Sequence, residues 1–380
     1  MGLCVKHISY RNFRNYEHLD LDDIGALTVF VGPNAVGKTN IVEGIQLLTA
    51  QASFRHPTAM QLIREGSDHA RLLADLSDGE RMLAFGLDLF EGKKKFSVNG
   101  KTKRAIDLKG VAPSVIFTPD DLQLAKGSMS RRRDAIDAMG SQVSRNHYKI
   151  RHDWDKILRQ KNTLLKDGAD PMLIESINDV IVACGAQLTC YRIALFLKLA
   201  KMMESYYTEI SGSAERFEAR YIPSWEGDGG IPAEGDCVDR DAARACLRSA
   251  LEGRLFEEVR RKRAMVGPQA DRIEFCIDGR PVSVFASQGQ QRTVVLAFKL
   301  AEVALIQDVL GQQPILLLDD VMSELDERRR RALVRFVSDD MQTFITTANL
   351  AYFDSDLIDR AKVIHLPVKG SDLDGVQVNG

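Results

Sequence analysis

Gly32-Pro-Asn-Ala-Val-Gly-Lys-Thr39 spaces two glycines, a lysine and a threonine as a phosphate-binding loop requires. Gly32 and Gly37 let the backbone curl so that successive N–H groups point inward around an anion. Pro33, Asn34, Ala35 and Val36 supply the wall of that cradle. Lys38 can reach the β and γ phosphates, and Thr39, followed by Asn40, can hold Mg²⁺. An apolar stretch, Ala26–Val31, predicts a strand running into the loop. Ile41, Ile45 and Leu48, at helical spacing, predict a helix leaving it. A chance glycine turn would not bring all of these together, so the residues predict a site for a nucleoside triphosphate with Mg²⁺.

A second group with chemistry of its own lies far downstream. Pro314-Ile-Leu-Leu-Leu-Asp-Asp320 predicts a buried strand ending in two carboxylates. Asp319 is placed to hold Mg²⁺, directly or through water, and Asp320 to orient an attacking water as a base. Alone, such a pair reads equally well as a helix cap or a solvated turn. Beside a complete phosphate loop it completes a catalytic set of Lys38, Asp319 and Asp320. Shortly before it, Ser287-Gln-Gly-Gln-Gln-Arg292 opens an apolar helix through Val294, Leu296, Leu300 and Leu305. Taken by itself Ser287 is an N-cap. With Gly289 and Gln290 it also offers a hydroxyl, a backbone N–H and a helix dipole to a nucleotide phosphate.

These groups need a sizeable scaffold, and 380 residues at 44% hydrophobic composition provide for two or three domains. The formal net charge of −2 announces no global positive field, so any anion-binding surface must be local. No run of 18 apolar residues occurs and the N-terminus carries Lys6, His7 and Arg11, so no membrane span or signal peptide is expected. The six cysteines form no C-x-x-C pair, which fits reduced thiols in a cytoplasmic protein rather than a zinc site.

Residues 81–106 read as strands with a hairpin turn at Asn99-Gly100. Arg131 to about Ser211 reads as helix, broken at Gly168-Ala-Asp-Pro171. A loop from Trp225 to Gly235 then precedes a charged helix ending near Arg263, and the residues from Lys369 read as a loose tail. The segments are too short for an extended coiled coil. Lys93, Lys94, Lys95, Lys101, Lys103 and Arg104 fall in one acid-free stretch, and Lys126 with Arg131, Arg132 and Arg133 makes a second basic cluster. Two such clusters on an otherwise acidic chain point to DNA phosphates, read by backbone and shape. Arg260-Arg-Lys-Arg263, one turn after Glu257 and Glu258, reads instead as a paired helix surface.

The order of these motifs resembles the ATP-binding-cassette ATPases: phosphate loop, long insert, signature helix, carboxylate strand, then Ser323-Glu-Leu-Asp326. Within that class the chain is similar to the RecF family of recombination-repair ATPases, relatives of the SMC-type heads. The likeness rests on Asn12-Phe-Arg-Asn-Tyr16, on Gly32 to Asn40, on Pro119-Asp-Asp-Leu122 and on Ser287 to Asp326. It implies an α/β fold: an ABC-type P-loop ATPase head with mixed sheets, formed by residues 1–125 and 265–380, with a helical arm inserted at 126–264. It also implies an ATP-dependent homodimer, in which Ser287, Gly289 and Gln290 meet the partner's ATP. Such a dimer would bind double-stranded or gapped DNA and work with RecR and RecO to load RecA. The chain departs from the family pattern at Met129, Ala135, Gln269 and Ala270. The strand Thr343–Thr347 ends without the histidine that many transport ATPases use to sense the γ-phosphate, so slow hydrolysis is expected, with Thr346 or Thr347 touching the phosphate instead. A transporter motor or an anti-phage nuclease subunit is the alternative. The first would need a coupling surface for membrane helices, and the second a further acidic domain.

Overall fold

Strands that alternate apolar and polar residues build one sheet, and unbroken apolar runs build another. The computed structural model describes residues 2–225, 239–337, 340–366 and 377–378. These divide into two compact units, one of residues up to 121 with those from 306 onward, the other of residues 122–305. Residues 265–305, expected with the head, cluster in the second unit, where Arg272–Ile277 pairs with Phe217–Ile222.

The first unit holds two six-stranded sheets. One is antiparallel, in the order Tyr16–Leu21, Cys4–Phe13, His69–Ser77, Met82–Phe90, Lys93–Val98 and Lys101–Lys103. Its last turn is the expected one, with Asn99 and Gly100 at φ 48° and 73°. The other runs in the order Gln377–Val378, Lys362–His365, Leu27–Val31, Thr343–Thr347, Ile315–Asp319 and Ser114–Phe117. Apart from the first pairing it is parallel. Its central strands are buried along their whole length, which suits the apolar run of Ile315–Leu318 and leaves the threonines of Thr343–Thr347 buried as well. Parallel register sets Thr346 beside Asp319 and Thr347 beside Val31, so three strand ends converge on one edge. Helix Lys38–Thr49 fills the space behind that edge. Its Ile41, Ile45 and Leu48 join Ile8, Leu72, Leu87, Leu317 and Phe344 in one core.

In the second unit, helices Met129–Val143, Arg145–Asp167, Pro171–Ser211 and Arg240–Arg261 accompany a three-stranded sheet, Arg280–Pro281, Arg272–Ile277 and Phe217–Ile222. The break at Gly168 is present, with φ 70°. A further break falls at Ser144, whose hydroxyl caps the next helix by accepting from the His147 N–H. Neither glycine nor proline marks that break, so it is invisible to a search for helix breakers. Arg261 pairs with Glu257 at 2.7 Å, as expected of that surface. The loop from Trp225 lies outside the described residues beyond Trp225 itself, and so does the tail apart from Gln377–Val378.

Met172–Ser211 is long and apolar enough to cross a membrane by length and composition alone. A search for uninterrupted apolar runs misses it because polar residues are interspersed. Its Ile181, Cys184 and Leu188 instead pack with Trp154, Leu247 and Leu251 of neighbouring helices.

The same unit is held by a buried polar network. Asp137 accepts from Arg192 Nε at 2.8 Å and Nη2 at 2.7 Å, from Arg151 Nε at 2.6 Å, and lies 3.0 Å from His147 Nε2. Burial opposes ionisation of Asp137, but the Arg192 guanidinium more than offsets it and holds the carboxyl far below its usual range. Asp271, fully buried, accepts from Thr189, Tyr221 and the Ser224 N–H; here burial wins over Arg192 and pushes the carboxyl up.

Candidate functional site

Strand Leu27–Val31 delivers the chain to the phosphate loop, and Gly37 makes the turn into the helix. Its φ of 119° is outside what an L side chain adopts comfortably, and an added Cβ would lie 2.6 Å from Tyr16 Oη and 2.7 Å from Asn15 Nδ2. Lys38 is folded back over the loop, donating to the carbonyls of Gly32 at 2.6 Å and Pro33 at 2.9 Å. Desolvation lowers its pKa, against the pull of Asp320 and Asp319. The ammonium is therefore held where an anion seated in the loop would relieve that desolvation.

Asp319 is 5% exposed and accepts from Thr346 Oγ1 at 2.7 Å. Burial raises the Asp319 pKa, and the Thr346 and Thr39 side chains pull against it, which puts the threonine of the loop near the carboxylate of the distant strand. A hydroxyl and a carboxylate side by side are the hard oxygen donors Mg²⁺ takes. Burial raises the pKa of both Asp319 and Asp320. Asp320 sits in the left-handed region at φ 53°, and its N–H donates to Thr346 Oγ1 at 2.9 Å. Thr346 is thus spent on positioning both carboxylates, and Thr347 Oγ1 is bonded to Asn349. Each hydroxyl, expected as a phosphate contact, thus also has a partner within the protein.

Beside the loop lies a cleft of about 740 Å³ lined by Arg14, Asn15, Asn40, Gln61, Ile63, Arg64 and Glu65. Asn15 donates to the Val36 carbonyl at 3.0 Å and accepts from Asn40 at 2.6 Å, tying the cleft to the loop. Glu43, fully buried in the loop helix, pairs with Arg14 at 2.7 Å and with Arg55 at 3.4 Å, and accepts from Ser53 at 2.6 Å. Reading the loop by its own pattern misses these residues. The available signal was Asn12-Phe-Arg-Asn15, where Asn12 and Arg14 take left-handed φ values of 51° and 55° and so form the tight turn that brings Asn15 to the loop.

In the second unit Ser287 is exposed and caps helix Gln288–Leu310 by accepting from the Gln290 N–H at 3.2 Å, while Gln290 Oε1 accepts from the Ser287 N–H at 2.8 Å. The capping role is therefore real, and Gly289 lies within that first turn. The two basic clusters fare differently. Arg132 is 1% exposed, donates to the carbonyls of Leu124, Ala125 and Ile273, and stacks on Phe275, so it is a buried structural residue rather than a DNA contact. Arg133 is turned toward the Asp271 carbonyl at 2.6 Å, and only Arg131 of the three is exposed. Helical periodicity sends the middle residue of such a run inward.

The hairpin residues are exposed but do not form one patch. The register Phe96↔Lys103 and Leu89↔Lys94 sets Lys94, Lys101 and Lys103 on the face that carries Phe96, with Lys93 and Lys95 on the other. Burial lowers the pKa of Lys94, against the pull of Glu43. Arg104 is paired with Asp107 at 3.0 Å.

Comparison with known proteins agrees with this geometry. A family model described as the RecF/RecN/SMC N terminal domain matches residues 4–361. The DNA replication and repair protein RecF of Cyanothece sp. is 31% identical over 371 residues, covering 96% of both chains. That of Symbiobacterium thermophilum is 36% identical over 343 residues, covering 89% of both. A solved structure of the recombination mediator protein RecF with ATP, from the RecFOR pathway, superposes with a TM-score of 0.87 at 27% identity, covering 100% of this chain and 98% of that one. An Smc head from Pyrococcus furiosus, at 15% identity and a TM-score of 0.52 over 96% of this chain and 93% of that one, shares the fold alone. With the family model spanning nearly the whole sequence and relatives above 30% identity along 96% of it, the chain belongs to the RecF family.

Proposed function

We propose that this chain is a cytoplasmic ATPase of recombination repair that uses ATP to clasp DNA. The observation that carries the reading is the loop, where Lys38 donates to the Gly32 and Pro33 carbonyls and feels the charges of Asp320 and Asp319, beside the carboxylate strand, where Thr346 Oγ1 donates to Asp319 and accepts from the Asp320 N–H. The triphosphate lies in the loop against Lys38, with its base and ribose toward the cleft of Asn15, Asn40 and Ile63. Thr39 and Asp319 would hold Mg²⁺, which when bound supplies positive charge against the phosphates. Asp320 orients the attacking water. Its side chain is short for that task and its backbone is fixed by Thr346, which favours slow turnover and a clasp that stays closed for long periods.

The RecF relative solved with ATP is named within the RecFOR pathway. On that basis we assign to this chain a homodimer closed by two ATP molecules, double-stranded or gapped DNA as its ligand, RecR and RecO as partners and RecA loading as the outcome. No membrane is involved. Ser287, Gly289 and Gln290 contact the partner's nucleotide in this reading, and Arg131 and the exposed hairpin lysines contribute to the DNA surface.

Two variants test it. Ser287→Arg places a bulky cation at a helix start that must close on the other copy's ATP. ATP-induced dimerisation, followed by light scattering, is expected to be lost while the monomer keeps its ATP affinity; dimerisation at the wild-type level would refute the clasp. Thr346→Val keeps shape but deletes both bonds to the carboxylate pair. Phosphate release at saturating ATP is expected to fall about tenfold or more, because a small misplacement of the base is costly, with ATP affinity within about threefold of wild type. Unchanged turnover would show that Thr346 does not position the pair.

A further inference from the structure

Helix Glu327–Phe336, which follows the Ser323–Asp326 loop, carries five arginines among ten residues. At about 100° per residue, Arg328, Arg331 and Arg335 fall within an arc of about 60°, with Arg330, Leu333 and Val337 on the opposite side. The burial pattern agrees: the first three are exposed, Leu333 and Val337 are buried, and Arg330 stacks on Tyr352 with 5.3 Å to the ring centre. Packing therefore accounts for one side of the helix and leaves the arginine row unexplained.

Electrostatics makes the row less ordinary. Arg328, Arg329, Arg330 and Arg331 occupy the first turns, where the helix dipole is positive and cations are disfavoured. Asp326 caps the helix and pairs with Arg329, and Glu327 pairs with Arg331. That leaves Arg328 and Arg335 with no ion pair among the described residues, and the Arg331 pair is solvent-exposed, with 61% of the arginine side chain accessible. Exposed pairs of this kind dissociate readily in favour of a stronger anion. The fold bears a repulsive arrangement that it does not use.

We propose that this row is a second DNA contact surface, which docks the phosphodiester backbone of one strand, independent of base sequence. The inference rests on the DNA-binding reading above and adds a site to it. Three guanidinium groups spread over about 10 Å of helix axis match a run of successive phosphates on one strand. Arginine presents its donors as a fork suited to phosphate oxygens. The exposed row is arginine alone, with no Asn or Gln beside it to read adenine, and the contact is assigned to the backbone.

The test uses the intact chain with ATP and a short labelled duplex, with binding followed by anisotropy over a range of salt. Replacing Arg328, Arg331 and Arg335 together by Gln should weaken binding at least about tenfold near 0.1 M salt and reduce the log–log salt slope by about 2 to 3. The matching triple Lys variant, which keeps the charge, should stay within about threefold of wild type. ATP affinity measured on the same preparations reports whether the head is intact. If the triple Gln variant has lost it, Arg328→Gln and Arg335→Gln are measured singly, each with an expected slope change of about 1. Wild-type affinity and slope in the Gln variants would overturn the second surface and leave the DNA-binding reading standing, as would equal loss in the Lys variant. A wild-type chain that binds no duplex would overturn both.

Discussion

Lys38→Ala will give a folded chain that no longer holds ATP. The Lys38 ammonium is desolvated and donates to the carbonyls of Gly32 and Pro33, and this desolvation already depresses its pKa. Removing it leaves those carbonyls to water and relieves the buried charge, so folding stability should hardly change. The bound state is different, since the triphosphate would lose its one mobile cation in the loop. Truncating one member of a buried, hydrogen-bonded charge pair costs about 2–5 kcal/mol, a loss of affinity from about thirtyfold to several thousandfold. Titration with a fluorescent ATP analogue, alongside a thermal melt, checks both halves. Wild-type affinity would refute the site; a collapsed melt would refute the account of its energetics.

Asp137→Ala should produce the largest change in stability. Four donor groups from three other side chains converge on this carboxylate, and deleting it strands the buried Arg192, whose remaining acidic neighbour, Asp271, is 3.7 Å away. Breaking a buried pair from one side costs about 3–5 kcal/mol. Against a typical total of about 5–15 kcal/mol, that loss should be visible as a large shift of the urea midpoint. It should also appear as faster amide exchange in helices Met129–Val143 and Pro171–Ser211, which carry Asp137 and Arg192. A midpoint within experimental error of wild type would mean that the network contributes little beyond filling space.

The proposed nucleotide site is legible in the sequence because its chemistry is local. Gly37, Lys38 and Thr39 are adjacent, and a strand that ends in Asp319 and Asp320 declares itself by an abrupt change from apolar to acidic. Thr346 was less legible: nothing about a threonine in a strand shows that parallel register will set it beside Asp319. The arm's network was not legible at all. His147, Arg151 and Arg192 are scattered along the chain and look like ordinary surface residues until packing brings them to Asp137, and Asp271 with Tyr221 to Arg192. The run Arg131-Arg-Arg133 misled in the opposite sense. Charge identity suggests solvent, whereas the helix turns Arg132 inward to three carbonyls that need donors. The hairpin showed where its lysines lie along the chain, but two-residue periodicity then divides them between opposite faces of the sheet.

Strand Leu27–Val31 is flanked on one side by Thr343–Thr347 and on the other by Lys362–His365. During synthesis the phosphate loop therefore leaves the ribosome long before either of its neighbours exists. At ordinary elongation rates the interval to the first of them is about 15–60 s. The antiparallel sheet between Cys4 and Lys103 draws only on nearby sequence and is free to assemble in that time. The nucleotide site is not, because its central strand has no partner on either side until Thr343–Thr347 and Lys362–His365 have been made. ATP binding by a nascent chain of this protein is accordingly an all-or-none event set by the emergence of those two strands, and a ribosome stalled before Thr343 carries a loop with the right sequence but no site.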